Sequence, residues 1–137
     1  MQIRKGNMKH LEMQHDKEPK QDIIDQLGDI SSVEIFNNQV LVATYLRPEK
    51  TKSGLYLSDN YRSEDKFQSK IGLIVAMGPQ AFNDESGQWF DNTSFNLGDW
   101  VIHRPSDGWS VTVNGVLCRI LSDTQIKGRV SSPDTVW

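Results

Sequence analysis

WSVTVNGVLCRIL, residues 109–121, is the stretch that decides the fold. Apolar and polar residues alternate on either side of Asn114-Gly115, a pair that accepts the positive φ angles of a two-residue type I′ turn. This pattern predicts a β-hairpin. Its inward residues are two pairs, Val111 with Cys118 and Val113 with Val116.

Further short apolar runs extend the β pattern along the chain from Val33 onward. They are NQVLVATYLRP (38–48), IGLIVAMGP (71–79), LGDWVIHRP (97–105) and TQIKGRV (124–130). The first run is apolar on both alternating faces, as expected for a strand that neighbours cover on two sides. About six short strands with no long helix predict a mainly β fold, a small irregular barrel that protects its edges.

The two ends of the chain differ in composition from this β region. Residues 1–32 form a polar N-terminal arm, residues 33–130 the barrel domain and residues 131–137 a C-terminal tail. Within the arm, EPKQDIIDQLGD predicts one short helix, with Pro19 in its first turn and Gly28 as its stop. A helix this short is marginal alone, so the arm is either a frayed or loosely docked tail, or a segment that docks on a neighbouring subunit.

Bulk composition excludes several classes of protein. The net charge of −3 and the pI near 5.5 argue against a nucleic-acid-binding face. No apolar run approaches the roughly 20 residues that span a bilayer, and the N-terminus has no apolar core of a secretory signal. The single cysteine fits a reducing cytoplasm.

The residues that carry catalytic chemistry are too scattered to make a site. His10 and His15 lie in the polar arm and are expected to be solvent-exposed, whereas His103 is expected to satisfy a local hydrogen bond. Cys118 alternates with apolar residues and is expected to be a small buried hydrophobe. We therefore predict no catalytic residues, no metal site, no cofactor and no enzyme activity.

Two long irregular stretches are more informative. The first, residues 48–70, is highly charged but contains one apolar island, Leu55-Tyr56-Leu57, entered by Gly54. These side chains either pack into the domain's own core or anchor the loop to a partner protein. The second stretch, residues 80–96, carries four aromatic residues, Phe82, Trp89, Phe90 and Phe95.

The order of these pieces resembles the chaperonin-10 family of GroES-like co-chaperonins. NQVLVATYLRPE resembles the family's opening strand, and TKSGLYLSD its mobile loop. SKIGLIVAMGP and LGDWVIHRP resemble the strands that follow, and VNGVLCRILSDTQIKGRV resembles the closing hairpin. The resemblance runs from about Phe36 to Val130 and implies a small GroES-like β-barrel with two long loops.

The resemblance also implies partners and site residues. The family forms seven-membered rings whose mobile loops cap the folding chamber of a GroEL-type chaperonin, which itself hydrolyses ATP. By this likeness Gly54, Leu55, Tyr56 and Leu57 would contact the chaperonin, and residues 80–96 would form the roof hairpin. Three features depart from the family: the central Tyr56, the longer aromatic roof, and the arm and tail.

Extended chains of this kind occur in tailed phages, which leaves two hypotheses. The first is a phage-encoded co-chaperonin in the host cytoplasm that assists folding of the capsid protein. The second is a virion structural protein, a head decoration or cement subunit, which would bind the major capsid protein. In that case the arm, the roof and the tail would clamp neighbouring subunits. Both hypotheses predict a homo-oligomer without nucleic-acid or membrane partners.

Overall fold

The structure, a computed structural model, describes residues 13–48, 65–90 and 93–137. Its elements are helix α1 (Pro19–Leu27) and strands β1 (Gln39–Thr44), β2 (Ile71–Met77), β3 (Trp100–Ile102), β4 (Trp109–Val113), β5 (Val116–Ser122) and β6 (Gly128–Val130). Two 3-10 helices, Asp123–Gln125 and Pro133–Thr135, follow β5 and β6. The predicted mainly β fold is confirmed, and its six strands fall within the expected runs except that β5 extends one residue further, to Ser122.

All strand pairs are antiparallel and form one sheet in the order β4-β5-β1-β2-β3-β6. The hairpin of β4 and β5 has the predicted register, with Val111 opposite Cys118 and Val113 opposite Val116. Asn114 and Gly115 both have positive φ, 48° and 82°, as a type I′ turn requires. This turn lets β5 return along β4 and then pair with β1.

The central strand β1 is buried on both faces, as its sequence predicted. Leu41 and Ala43 point into one cluster, which we call the arm-side cluster, completed by Leu27, Tyr45, Ile71, Leu73, Trp100 and Cys118. Val40 and Val42 point into the other, the roof-side cluster, completed by Ile74, Val101 and Leu121. Alternation along one strand therefore supplies two cores.

Strand β1 ends at Thr44, earlier than the apolar run to Pro48 suggested. Tyr45 still donates its backbone N–H to the carbonyl of Ile71, at 3.0 Å. The next inward amide, that of Arg47, instead donates to the carboxylate of Asp65, at 3.2 Å. The ladder stops where this side chain replaces the neighbouring strand as hydrogen-bond acceptor.

Helix α1 has the predicted bounds and caps. Pro19 opens the helix and Gly28 follows it at φ 61°, the left-handed conformation that glycine adopts readily. Leu27 is buried in the arm-side cluster, and Asn114 donates its side-chain amide to the Leu27 carbonyl at 2.6 Å. Ile23 and Leu27 of α1 therefore pack on the sheet of their own chain, whereas Ile24 is 43% exposed. Docking of the helix on a neighbouring subunit stays a prediction. The boundary after residue 32 stays a prediction.

Candidate functional site

The predicted partner-binding residues, Gly54, Leu55, Tyr56 and Leu57, lie outside the described residues. The structure does describe the chain on both sides of them, up to Pro48 and again from Asp65. These two sides meet through a buried ion pair. Arg47 bonds to Asp65 through Nη2 at 2.8 Å and through Nε at 3.0 Å.

This ion pair is buried: the side chains of Arg47 and Asp65 are 10% and 2% exposed. Asp65 is 1% exposed, and its carboxylate also accepts the Arg47 backbone N–H. Ser69, in the next turn of chain, donates its hydroxyl to the Tyr45 carbonyl at 2.7 Å. A two-pronged arginine–carboxylate pair fixes orientation as well as distance. The two ends of segment 49–64 are consequently held together by side chains at the end of β1.

The aromatic stretch forms the second candidate surface. Three of its four rings pack together: Phe82 stacks on Phe95 with 4.1 Å between centroids, and Phe90 meets both of them edge-on. Phe82 and Phe95 also contact the roof-side cluster. The fourth ring, Trp89, is 56% exposed and contacts the triad through Phe90, with 6.5 Å between centroids. The predicted aromatic loop therefore consists of three packed phenylalanine rings and one exposed indole.

Local hydrogen bonds shape this aromatic stretch. The Asp84 carboxylate accepts bonds from the Ser86 hydroxyl and from the backbone N–H groups of Gln88 and Trp89. These bonds, with Ser86 first, hold the pKa of Asp84 below its ordinary value. Phe82 and Phe90 have φ of 59° and 60°, an uncommon conformation for bulky residues. These two strained residues are also the ones whose rings pack against each other in the aromatic group.

The histidine predictions had mixed outcomes. His15 is not solvent-exposed as predicted: its side chain is 19% exposed and its Nε2 lies 2.9 Å from an Asp134 oxygen. His103 is buried and its Nδ1 bonds to the Arg104 carbonyl at 2.8 Å, which confirms the expected local bond. His10 lies outside the described residues. Sequence reasoning missed His15 because its partner is 119 positions away.

Cys118 is fully buried in the arm-side cluster, as predicted. Burial raises the pKa of its thiol to about 11, so the thiol stays protonated and unreactive at neutral pH. Among the described residues, no group of three or more histidine, cysteine or acidic side chains is arranged to hold a metal ion. Within the same residues, no helix has the length and apolar character needed to cross a membrane.

Comparison with known families gives a match over most of the chain. The family model described as the chaperonin 10 kDa subunit matches residues 32–130. That span contains all six strands, both ends of segment 49–64 and the aromatic stretch. No curated protein matches the chain.

Proposed function

The chain belongs to the chaperonin 10 kDa subunit family, and we propose that it caps a chaperonin folding chamber through Leu55-Tyr56-Leu57. Co-chaperonins of this family act as oligomeric rings on GroEL-type chaperonins and are not themselves enzymes. The family match over residues 32–130 is the observation that carries the proposal. It spans the barrel and the segment in which the apolar tripeptide lies.

The contacts at the loop ends support this proposal. Arg47 and Asp65 bring the two ends of segment 49–64 to one place on the barrel. Fixing the ends of a segment reduces the ordering cost when the segment binds. Burying one leucine contributes ~1.5–3 kcal/mol, so each loop gives a modest contact. A ring of subunits, seven in our proposal, adds such contacts together and still allows release.

We further propose that the chain is phage-encoded, acts in the host cytoplasm and serves the capsid protein. The support for this is the presence of segments outside the family match, residues 1–31 and 131–137. The alternative, a virion subunit, needed the arm and the tail to clamp neighbouring subunits. In the described part of the chain, Leu27 and Trp137 pack on their own sheet. An ordered arm supports the virion alternative, because a free co-chaperonin ring has no use for one, whereas the family match supports the co-chaperonin.

The test is a double variant, Leu55→Asp with Leu57→Asp. We expect it to lose chaperonin binding almost completely while still forming oligomers, because the tripeptide lies in the loop that the sequence predicts between β1 and β2. Binding is measured by co-sedimentation with a GroEL-type chaperonin and nucleotide. Leu97→Asp, at a leucine that is 61% exposed on the barrel, is the matched control and should bind like wild type.

Two outcomes would contradict the proposal. If wild type binds no chaperonin and instead co-purifies with capsids, the chain is a virion component. If the double variant unfolds, the tripeptide belongs to the domain's core and does not serve as a partner anchor.

A further inference from the structure

The carboxylate of Asp134, in the tail, contacts the arm and the residue that follows strand β1. Asp134 Oδ1 accepts a hydrogen bond from the Tyr45 hydroxyl, and Oδ2 lies 2.9 Å from His15 Nε2. The Tyr45 hydroxyl is also 3.4 Å from the same histidine nitrogen. Burial, and then the bond to Asp134, raise the pKa of Tyr45 far above its ordinary value, so the phenol remains a donor. We call these three residues the latch.

The latch continues through aromatic contacts in the tail. The Tyr45 ring meets Trp100 edge-on at 5.6 Å and Trp137 edge-on at 6.2 Å. On Trp137 lies the guanidinium of Arg47, with its carbon 4.0 Å from the ring centroid. A planar guanidinium on an indole face is the most favourable kind of cation–π contact. Trp137 therefore contacts two residues at the end of β1.

Arg47 carries this connection to the far end of segment 49–64. Its guanidinium is held on its face by Trp137 and on its edge by Asp65. The backbone carbonyl of Asp65 in turn accepts a hydrogen bond from the backbone N–H of Ser69, at 3.0 Å. A side chain restrained on two sides has few rotamers left to lose. Trp137 in the tail thereby contacts Arg47 at one end of segment 49–64, and Arg47 bonds to Asp65 at the other end.

We infer that the latch, continued through Trp137 and Arg47 to Asp65, is a positioning device that lets the arm and the tail set the spacing of the segment's two ends. Its consequence for chaperonin binding rests on the function proposed above. The contacts from His15 to Asp65 involve residues of the arm, the chain that follows β1, the tail and the chain before β2. The arm and the tail then contribute to partner binding by positioning the two ends of segment 49–64.

The experiment removes the link between the tail and Arg47 with Trp137→Ala. The first measurement is hydrogen exchange at the amides of Arg47 and Ser69, both of which donate to Asp65. We expect exchange about tenfold faster than in wild type, because the cation–π restraint on Arg47 is lost. Trp137→Phe keeps an aromatic face and should restore most of the protection. Trp109→Ala removes an indole that is 78% exposed and should change nothing.

The second measurement is chaperonin binding by the same variants. Trp137→Ala should weaken binding about tenfold through poorer preorganisation, and Trp109→Ala should not. Unchanged exchange at Arg47 and Ser69 in Trp137→Ala would overturn the inference whatever the binding result. Faster exchange without chaperonin binding by any variant, wild type included, would support the coupling and contradict the proposed function.

A milder variant covers the case in which Trp137→Ala does not fold. Asp134→Asn keeps the shape and one oxygen acceptor but removes the charge that His15 and Tyr45 face. It should speed exchange at the same two amides by a smaller factor. Equal exchange in Asp134→Asn and wild type would again overturn the inference.

Discussion

The two faces of the sheet are covered in different ways. The roof-side cluster is covered by segments inside the family match, through Phe82, Phe95 and Ile126. The arm-side cluster is covered partly by segments outside that match, through Ile23 of α1 and Trp137 of the tail. Both clusters contain fully buried residues of β1. The same strand thus contributes to a core shared with the family and to one completed by added segments.

This difference shows that the arm and the tail bury part of the arm-side cluster. Leu27 is 3% exposed, which is as buried as Trp100 within the sheet itself. Burial of that kind is the dominant favourable contribution to folding. The arm-side face should therefore lose stability when its added segments are disturbed, but less steeply than the roof-side face, because a helix at a chain end can yield.

The largest effect is expected from Asp65→Ala, at the end of the arm-side face. The side chains of Arg47 and Asp65 are 10% and 2% exposed, so the variant removes the carboxylate from a buried guanidinium. Breaking such a pair costs about 3–5 kcal/mol of unfolding free energy. Urea unfolding measures this loss directly.

A double variant, Arg47→Met with Asp65→Leu, serves as the control for Asp65→Ala. Replacing both charges by apolar side chains should recover much of the lost stability, because no buried charge remains. A loss below about 1 kcal/mol for Asp65→Ala would mean that the pair behaves like an exposed surface pair.

A matched pair of leucine variants compares the two faces directly. Leu27→Ala and Leu121→Ala each remove the same atoms from a buried site, one on α1 and one on β5. Leucine-to-alanine changes in cores cost about 2–5 kcal/mol. We expect Leu121→Ala near the upper end of that range and Leu27→Ala near the lower end, since α1 can relax into the space.

Thermal and urea unfolding of both leucine variants would decide this. Ile24→Ala, at a residue that is 43% exposed on the same helix, is the control and should change stability by no more than about 0.5 kcal/mol. A cost for Leu27→Ala equal to or above that for Leu121→Ala would show that the arm is as firmly part of the core as the strands.

The smallest effect concerns pH and His103, which follows β3. Burial is the main cause that lowers the pKa of His103, and the nearby charge of Arg119 acts in the same direction against the opposing effects of the Arg104 carbonyl and Asp107. The folded state therefore favours the neutral ring. Stability should be lost as the pH falls below the unfolded value of 6.5, by at most about 1.4 kcal/mol per pH unit.

His103→Gln is the comparison for this pH effect, because glutamine does not titrate. Wild type should lose stability more steeply than the variant below pH 6.5 in urea unfolding series. Parallel curves for the two proteins would mean that protonation of His103 does not oppose folding.

Much of the fold could be predicted because its signals are local. Alternation in residues 109–121 gave the register of the hairpin, and Asn114-Gly115 gave its turn. Pro19 and Gly28 marked both ends of α1. The candidate site was less predictable: the aromatic stretch was found as a group, but its separation into a packed triad and an exposed Trp89 depends on backbone angles that composition does not reveal.

The sequence by itself determined the strands, the helix and the family, because period-two alternation, turn residues and helix caps act between close neighbours in the chain. Only the tertiary structure decided what covers each face and that His15 meets Asp134, 119 positions away. It also decided that Arg47 and Asp65, 18 positions apart, close the base of segment 49–64. Such contacts depend on the path of the whole chain, since most buried charges and polar groups pair with a partner that this path brings within reach.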